Sequence, residues 1–468
     1  MKRKSLRLFS LAMINLAAVG AVKNWPVTAE FGLASIFYLL LASLIFLLPV
    51  SFIAAELATG WPQAGGVFVW VKEAFGHRTG FLAIWLLWIE NVLWYPTILS
   101  FIAATTSYLF DPSLAENKIF LFSSMLILFW ILTFANCFGM KASSRISMIG
   151  VVFGTFIAGL IIIGLGFLWF TSGKPLQIDL TLESAIPSFS SPDEFVFFTG
   201  VILTLCGLEM SAIYAKDVEN PQKNYPKAIL LSASLIVGLS LLGVLSIAIV
   251  IPQKDISLIA GSLQAFSYFV SAYQLEWMIP YMAGLITLGA IGSLSTWIIG
   301  PCKGLLEAAR EGDLPPFFRK HNKYGSPTAA LLIQAFIVSI LSLLFLFAPS
   351  INNAYFMISM IVAQLYLIMY VLMFAAAIRL RYTKAHVIRS YKIPGGKVGI
   401  WAIAGLGIFS SLLAFFVGFF PPAQLTFKTP TFYVAFLITG TFIICLMPWF
   451  ILKFQKDHWK HPLAHEKK

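Results

Sequence analysis

The chain has 468 residues, 59% of them hydrophobic and only 11% charged. A soluble domain carries roughly 25% charged residues, so this composition excludes a soluble protein and points to a polytopic helical membrane protein. The net charge of +12 does not indicate a nucleic-acid partner, because the positive side chains track membrane topology, and the long apolar runs exclude an outer-membrane barrel with its short alternating segments.

Twelve spans are predicted, at residues 8–32, 33–58, 81–109, 118–139, 146–171, 194–215, 227–251, 277–302, 327–348, 352–378, 399–420 and 431–452, each near the length a bilayer crossing needs. An even number puts both termini on one side, and that side collects all but five of the 32 Lys and Arg. Four lie opposite (Lys118, Lys174, Lys254 and Lys428), and Lys23 falls within a span. The positive-inside rule then predicts cytoplasmic termini. The basic cluster Lys2, Arg3, Lys4 and Arg7 resembles the start of a signal peptide. The apolar run that follows is too long and lacks a small-residue cleavage site, so the segment is expected to be retained.

The first span reads LFSLAMINLAAVGAVKNWPVTAEFG, with Gly20, Lys23 and Pro26 in its middle. Gly and Pro weaken a helix, and opened backbone at membrane depth is tolerated only where it lines a cavity. A lysine there is costly and should face the interior. Two readings fit: half-helices meeting at a binding site, as in secondary transporters, or a Gly/Pro kink with a snorkelling lysine.

Span two ends in AAELATGWPQAGGVFVW. Glu56 sits where it can pair or reach water, Gly65 and Gly66 allow a tight turn, and 67–75 reads as a short amphipathic helix, either a gate or an interfacial helix. Span three carries Glu90 and Asn91 within WLLWIENVLWYP. An acid this deep is a functional candidate, the other reading being an interhelical hydrogen bond; Pro96 is a potential kink. Span five is rich in glycine for close packing (Gly150, Gly154, Gly159, Gly164, Gly166). The loop 172–193 is acidic, with Asp179, Glu183 and Asp193.

Span six, within FFTGVILTLCGLEMSAIYAKDVENPQKNYPKAI, holds Gly207 followed by Glu209. It opens a second set of five spans as span one opens the first. Paired interrupted helices in corresponding positions are the best sequence pointer to a midplane site between inverted repeats, which favours the half-helix reading of both. In span ten, Tyr366 and Tyr370 are spaced i, i+4 and share one helix face. Buried tyrosine hydroxyls need partners, and a polar ligand is one option beside ordinary core packing.

The four cysteines (Cys137, Cys206, Cys302, Cys445) include no CxxC pair, so they read as small apolar packers, with neither metal nor disulfide expected. No GxSxG, P-loop or HExxH appears, and the histidines lie outside the predicted spans. No enzyme activity and no cofactor are expected, and transport would be driven by gradients or exchange.

Five stretches together carry a resemblance: AAELATGWPQAGGVFVWV (54–71), GLEMSAIYAKDVENPQKNYPKAI (207–229), GPCKGLLEAAREGDLPPFF (300–318), YKIPGGKVG (391–399) and FFPP (419–422). Over essentially its whole length the chain resembles the amino acid–polyamine–organocation superfamily, and within it the bacterial glutamate/GABA antiporters. The resemblance implies an all-α membrane protein of LeuT type: a single domain over 1–468, with two inverted five-helix repeats at about 8–171 and 194–378 and two C-terminal helices at about 399–452. It implies that Val19, Gly20, Ala21 and Val22 at the first break, and Cys206, Gly207 and Leu208 at the second, bind the substrate's amino and carboxylate groups through main-chain atoms. It implies that Tyr366 and Tyr370 line the substrate path. Two departures stand out. Ser293 occupies a position where a glutamate/GABA antiporter carries an intramembrane glutamate, and Lys23 and Asn24 replace a tyrosine and a glutamate. The long C-terminal plug of some relatives is not expected in the tail 453–468.

The resulting expectation is a bacterial inner-membrane amino acid antiporter working by alternating access. Lys23 faces the site and sets charge selectivity, Glu209 stabilises the second break or carries a proton, Glu90 is a further coupling or gating candidate, and Trp297 near Ser293 lines the site. The expected partners are small-molecule amino acids, the lipid bilayer and, as a candidate coupling ion, protons; nucleic acid is not one. Proton-coupled uptake of a neutral or cationic amino acid, and a non-transporting membrane sensor of the same fold, stand as alternatives.

Overall fold

The computed structural model describes residues 7–187, 192–257, 260–347, 351–420 and 430–459. Lys2, Arg3, Lys4, the prolines of FFPP and the tail from 460 lie outside these residues. Among the described residues twelve helices are long and apolar enough to cross a membrane: α1 (Leu8–Ala29), α2 (Gly32–Gly60), α3 (His77–Ser107), α4 (Lys118–Cys137), α5 (Met140–Thr171), α6 (Glu194–Ala212), α7 (Pro221–Ala248), α8 (Glu276–Arg310), α9 (Thr328–Phe347), α10 (Met357–Thr383), α11 (Gly396–Val417) and α12 (Thr431–Lys453). In α3, α8 and α10, 78% of the residues of the apolar stretch are buried, against 17% in α12. The first three therefore form the interior, while α12 presents most of its surface outward, with Phe432, Phe442 and Phe450 more than half exposed.

Local chemistry sets where helices stop. α8 runs past its predicted end at 302, through Pro301, because Leu305, Leu306, Glu307, Ala308 and Ala309 are good helix formers. It ends where Gly312 turns left-handed (φ +96°), with Asp313 N–H donating to Ala308 C=O at 3.1 Å and Gly312 N–H to Ala309 C=O at 3.0 Å, a glycine-terminated helix end. α3 continues unbroken through Pro96. The segment Val67–Phe75 is helical, but its Val67, Phe68, Val69, Trp70, Val71 and Ala74 are buried against the protein. The expectation of an interfacial helix lying on lipid is therefore corrected: its apolar face packs inside the fold.

The glycines of α5 let it approach α8 closely. A Cβ built at Gly154 would stand 2.1 Å from the backbone of Gly289, and one at Gly150 2.6 Å from Gly292. Around this crossing α5 adopts a π-helical turn, Val151–Ile157.

On the face that carries both termini, a buried ionic cluster ties α2 to α10. Arg381 binds Glu56, Arg389 Nε lies 3.6 Å from Glu56 Oε1, and Ile393 N–H donates to Glu56 Oε2 at 2.8 Å. Arg389 also donates to Leu380 C=O at 2.9 Å and stacks 5.0 Å over Trp61. Burial pulls the Arg389 guanidinium below its usual value, with Glu56 opposing. Removing one partner of a buried ion pair strands the other charge, at about 3–5 kcal/mol. Glu56→Ala is thus expected to lower the unfolding temperature in detergent markedly and Glu56→Gln less; an unshifted transition for both contradicts this role. A second cluster on the same face joins Lys72 to Glu311 at 2.6 Å and His77 to Asp313 at 2.6 Å; burial raises the Asp313 carboxyl, with His77 opposing.

Candidate functional site

Both interrupted helices break where the sequence weakens them. In α1 the helix Leu8–Val19 ends at Gly20, Ala21 is extended (ψ 132°), Val22–Asn24 form a 3-10 turn, and a helix restarts at Trp25–Ala29. Pro26 sits in the first turn of the restarted piece, so it begins the second half rather than breaking the first. The N–H groups of Ala21, Val22 and Lys23 stand at a helix start, where no preceding carbonyl is in register to accept them. Asn24 Nδ2 donates back to Val19 C=O at 3.2 Å, Trp297 Nε1 to Ala18 C=O at 3.4 Å, and Ser262 Oγ to Val22 C=O at 2.8 Å. The carbonyls freed by the break are thereby held.

In α6 the helix stops at Thr204, and Gly207 adopts φ +122°, a conformation open to glycine at little cost. Beyond it, Leu208–Asp217 forms a 3-10 helix in place of a second α-helical half. Runs of this length are uncommon and often mark hinges. Glu209 is the second residue of this piece and is 1% exposed. Its Oε1 accepts from the Tyr366 hydroxyl and its Oε2 from the Tyr370 hydroxyl, each at 2.6 Å. The Tyr370 oxygen in turn accepts from Gly207 N–H at 2.8 Å. The two tyrosines stack at 4.8 Å.

Between the breaks lies a cavity of about 210 Å³, room for about seven waters and so for a small solute. Of the expected site residues, Ala21, Lys23, Glu90, Cys206, Ser293, Trp297 and Tyr366 line it. Gly207, Glu209 and Tyr370 do not line it; they form a hydrogen-bonded floor behind the lining residues Cys206 and Tyr366. Val19, Gly20 and Leu208 are packed behind the wall, and Val22 faces a smaller cavity of about 10 Å³ against α5 and α8, which Lys23 also borders. The large cavity extends from the breaks toward the face opposite the termini, past Val27, Gly200 and Ser359. On the terminal side it is closed by the Glu209–tyrosine floor, with Phe46 against Tyr370 at 5.0 Å beneath it.

Aromatic rings form one wall. Trp297 meets Trp94 at 6.0 Å and Tyr366 at 6.2 Å, both edge to face, and Tyr95 donates to Trp297 C=O at 2.8 Å, anchoring that wall to α3. The Lys23 ammonium sits 4.7 Å from the centre of the Trp94 ring, a cation–π contact. Among the described residues no carboxylate forms an ion pair with it. Glu90 is 3% exposed, and its Oε1 accepts from the Asn91 amide.

Sequence reasoning missed Trp94, Thr204, Ser359 and Ala363. Two helical patterns carried the signal. Trp94 is four residues after Glu90, and Ser359, Ala363, Tyr366 and Tyr370 form one stripe of α10.

Comparison with known proteins points to one family. A family model described as amino acid permease matches residues 6–444. The chain is 46% identical over 451 residues to an uncharacterised transporter of Legionella pneumophila, covering 96% of this chain and 97% of that protein. It is 34% identical to a glutamate/gamma-aminobutyrate antiporter of Lactococcus lactis, covering 96% and 91%. It is 25% identical to a cadaverine/lysine antiporter of Escherichia coli, covering 72% and 70%.

Proposed function

The chain belongs to the amino acid permease family, and from that premise we propose that it is an amino acid antiporter of the glutamate/GABA kind, working by alternating access in a bacterial inner membrane with cytoplasmic termini. The Lys and Arg asymmetry supports the orientation. The observation that carries the reading is the cavity between two broken helices, bordered by helix-start N–H groups and by a lysine that has no carboxylate partner among the described residues.

A helix start favours negative charge. The substrate α-carboxylate is assigned to the N–H groups around Ala21–Lys23, and the α-amino group to backbone near Val19, Gly20 and Cys206–Leu208. Lys23 takes a side-chain carboxylate and so sets charge selectivity. Ser293 and Trp297 shape the pocket. Glu209 and the two tyrosines hold the second break and close the path toward the termini. The repeats run at about 8–171 and 194–378, and the bundle α1, α2, α6 and α7 rocks against the rest.

Proteoliposomes loaded in turn with GABA, glutamate, lysine and a neutral amino acid test this. Labelled glutamate is expected to enter only against an internal amino acid. Entry at the same rate into empty vesicles would make the protein an uptake carrier, and binding without any flux would make it a sensor.

A further inference from the structure

Two charged side chains line the cavity, Lys23 on α1 and Glu90 on α3, and a third, Glu209 at the α6 break, lies behind the lining Tyr366. Their situations differ. Both oxygens of Glu209 are engaged by tyrosine hydroxyls. Lys23 rests on the Trp94 ring. Glu90 lines the open cavity, and its hydrogen-bond partner is the side-chain amide of its own neighbour Asn91, which is itself fixed by donating to Leu87 C=O at 2.8 Å. Among the described residues no Lys, Arg or His pairs with Glu90.

The groups that face Glu90 are few. From α1 comes Lys23; from α6, Cys206 and, below it, Glu209; from α10, Tyr366. From α8 come Ser293 and Trp297, neither of which carries charge. Among the described residues the cavity lining holds no further Asp, Glu, Lys, Arg or His. Trp94, the ring that carries the Lys23 ammonium, follows Glu90 by four residues on the same face of α3, so both side chains face one cavity. Among the described residues Lys23 and Glu90 form no ion pair.

We propose that Glu90 binds a coupling proton that crosses the membrane with the substrate. A carboxyl group set in an aromatic wall, open to a solute cavity and without a fixed cation, is a natural seat for a proton. Lys23 supplies a positive charge that the substrate can meet, and Glu209 is held in the floor. The step balances simply. The Glu90 carboxylate takes a proton from solution while the cavity opens to one face, forming the neutral acid. It returns the proton to solution, regenerating the carboxylate, when the cavity opens to the other face. No other bond changes. The inference rests on the transport reading and assigns its coupling to one side chain.

The test follows internal pH with a trapped dye in proteoliposomes during amino acid exchange, for the wild type, Glu90→Gln and Glu90→Asp. Wild type is expected to move protons with substrate, and its rate to vary with pH. In Glu90→Gln, whatever flux remains should move no protons and should no longer vary with pH; Glu90→Asp should recover both. Proton movement in Glu90→Gln at the wild-type ratio, or none in the wild type, would overturn the assignment. Should Glu90→Gln carry no flux, proton uptake on adding glutamate to purified protein in weakly buffered detergent decides. Uptake is expected for the wild type and absent for Glu90→Gln, and equal uptake by the two refutes the role. Absence of any exchange by the wild type refutes the antiporter reading alone, because the detergent measurement still reports on Glu90.

Discussion

Replacing Lys23 with alanine is expected to remove transport of acidic amino acids while leaving a folded protein. The ammonium has a ring beneath it and, among the described residues, no carboxylate partner, so its loss strands no anion paired with it. What it removes is a positive charge at the edge of a cavity of about 210 Å³. A hydrogen bond to a charged group contributes about 1.5–3 kcal/mol, which is roughly a tenfold to hundredfold change in affinity. Glutamate transport should fall by that factor or more, and transport of a neutral amino acid should fall less or rise. Lys23→Arg should not restore the wild-type preference, because a planar guanidinium does not occupy the same point as an ammonium. The check is flux for both substrates together with a thermal unfolding curve. An unchanged substrate range and rate in Lys23→Ala would remove Lys23 from the selectivity mechanism.

The second large effect is expected at Gly207. Its φ of +122° disfavours any side chain, and a Cβ there would stand 2.7 Å from Trp297 Cζ2 and 3.3 Å from Val19 Cγ2. Residues forced into such backbone regions cost about 1–3 kcal/mol. Gly207→Ala must either shift Trp297, which also contacts Trp94 and Tyr366, or bend the break itself. Bending moves the N–H that donates to Tyr370, and with it the floor that holds Glu209. Flux is expected to fall at least tenfold, with a changed tryptophan fluorescence spectrum, and Gly207→Val should be worse. Cys206→Ala, one residue earlier, is the control: it leaves the backbone unstrained and removes a thiol that donates weakly to Ile202 C=O at 3.6 Å and touches the Tyr370 hydroxyl, so its truncation should cost less. Equal losses at the two positions would contradict the geometric argument.

The parts of the fold that could be read from sequence are those fixed by local chemistry. Span number followed from long apolar runs and charge asymmetry. The two breaks were legible because a glycine beside a charged residue, Gly20 with Lys23 and Gly207 with Glu209, is rare at membrane depth. The tyrosine pair was visible from its i, i+4 spacing. What could not be read depends on contacts distant in the chain. Nothing local says that Tyr366 and Tyr370 would each take one oxygen of Glu209, more than 150 residues away. Glu56 was placed only near water or a partner, and its partners are Arg381, in the last turn of α10, and Arg389, beyond it. The helix Val67–Phe75 has an amphipathic pattern that suits a bilayer surface and a protein surface equally well; neighbouring helices decide between them. The same holds for Trp94, an aromatic among many until Lys23 is set upon it.

The central claim is that an amino acid binds where the two broken helices meet. A cryo-electron microscopy map of the protein with saturating glutamate tests it most directly. The account predicts ligand density in the cavity, with the α-carboxylate against the N–H groups of Ala21, Val22 and Lys23 and the side chain reaching toward the Lys23 ammonium. Density for glutamate elsewhere, with this cavity empty, would contradict it.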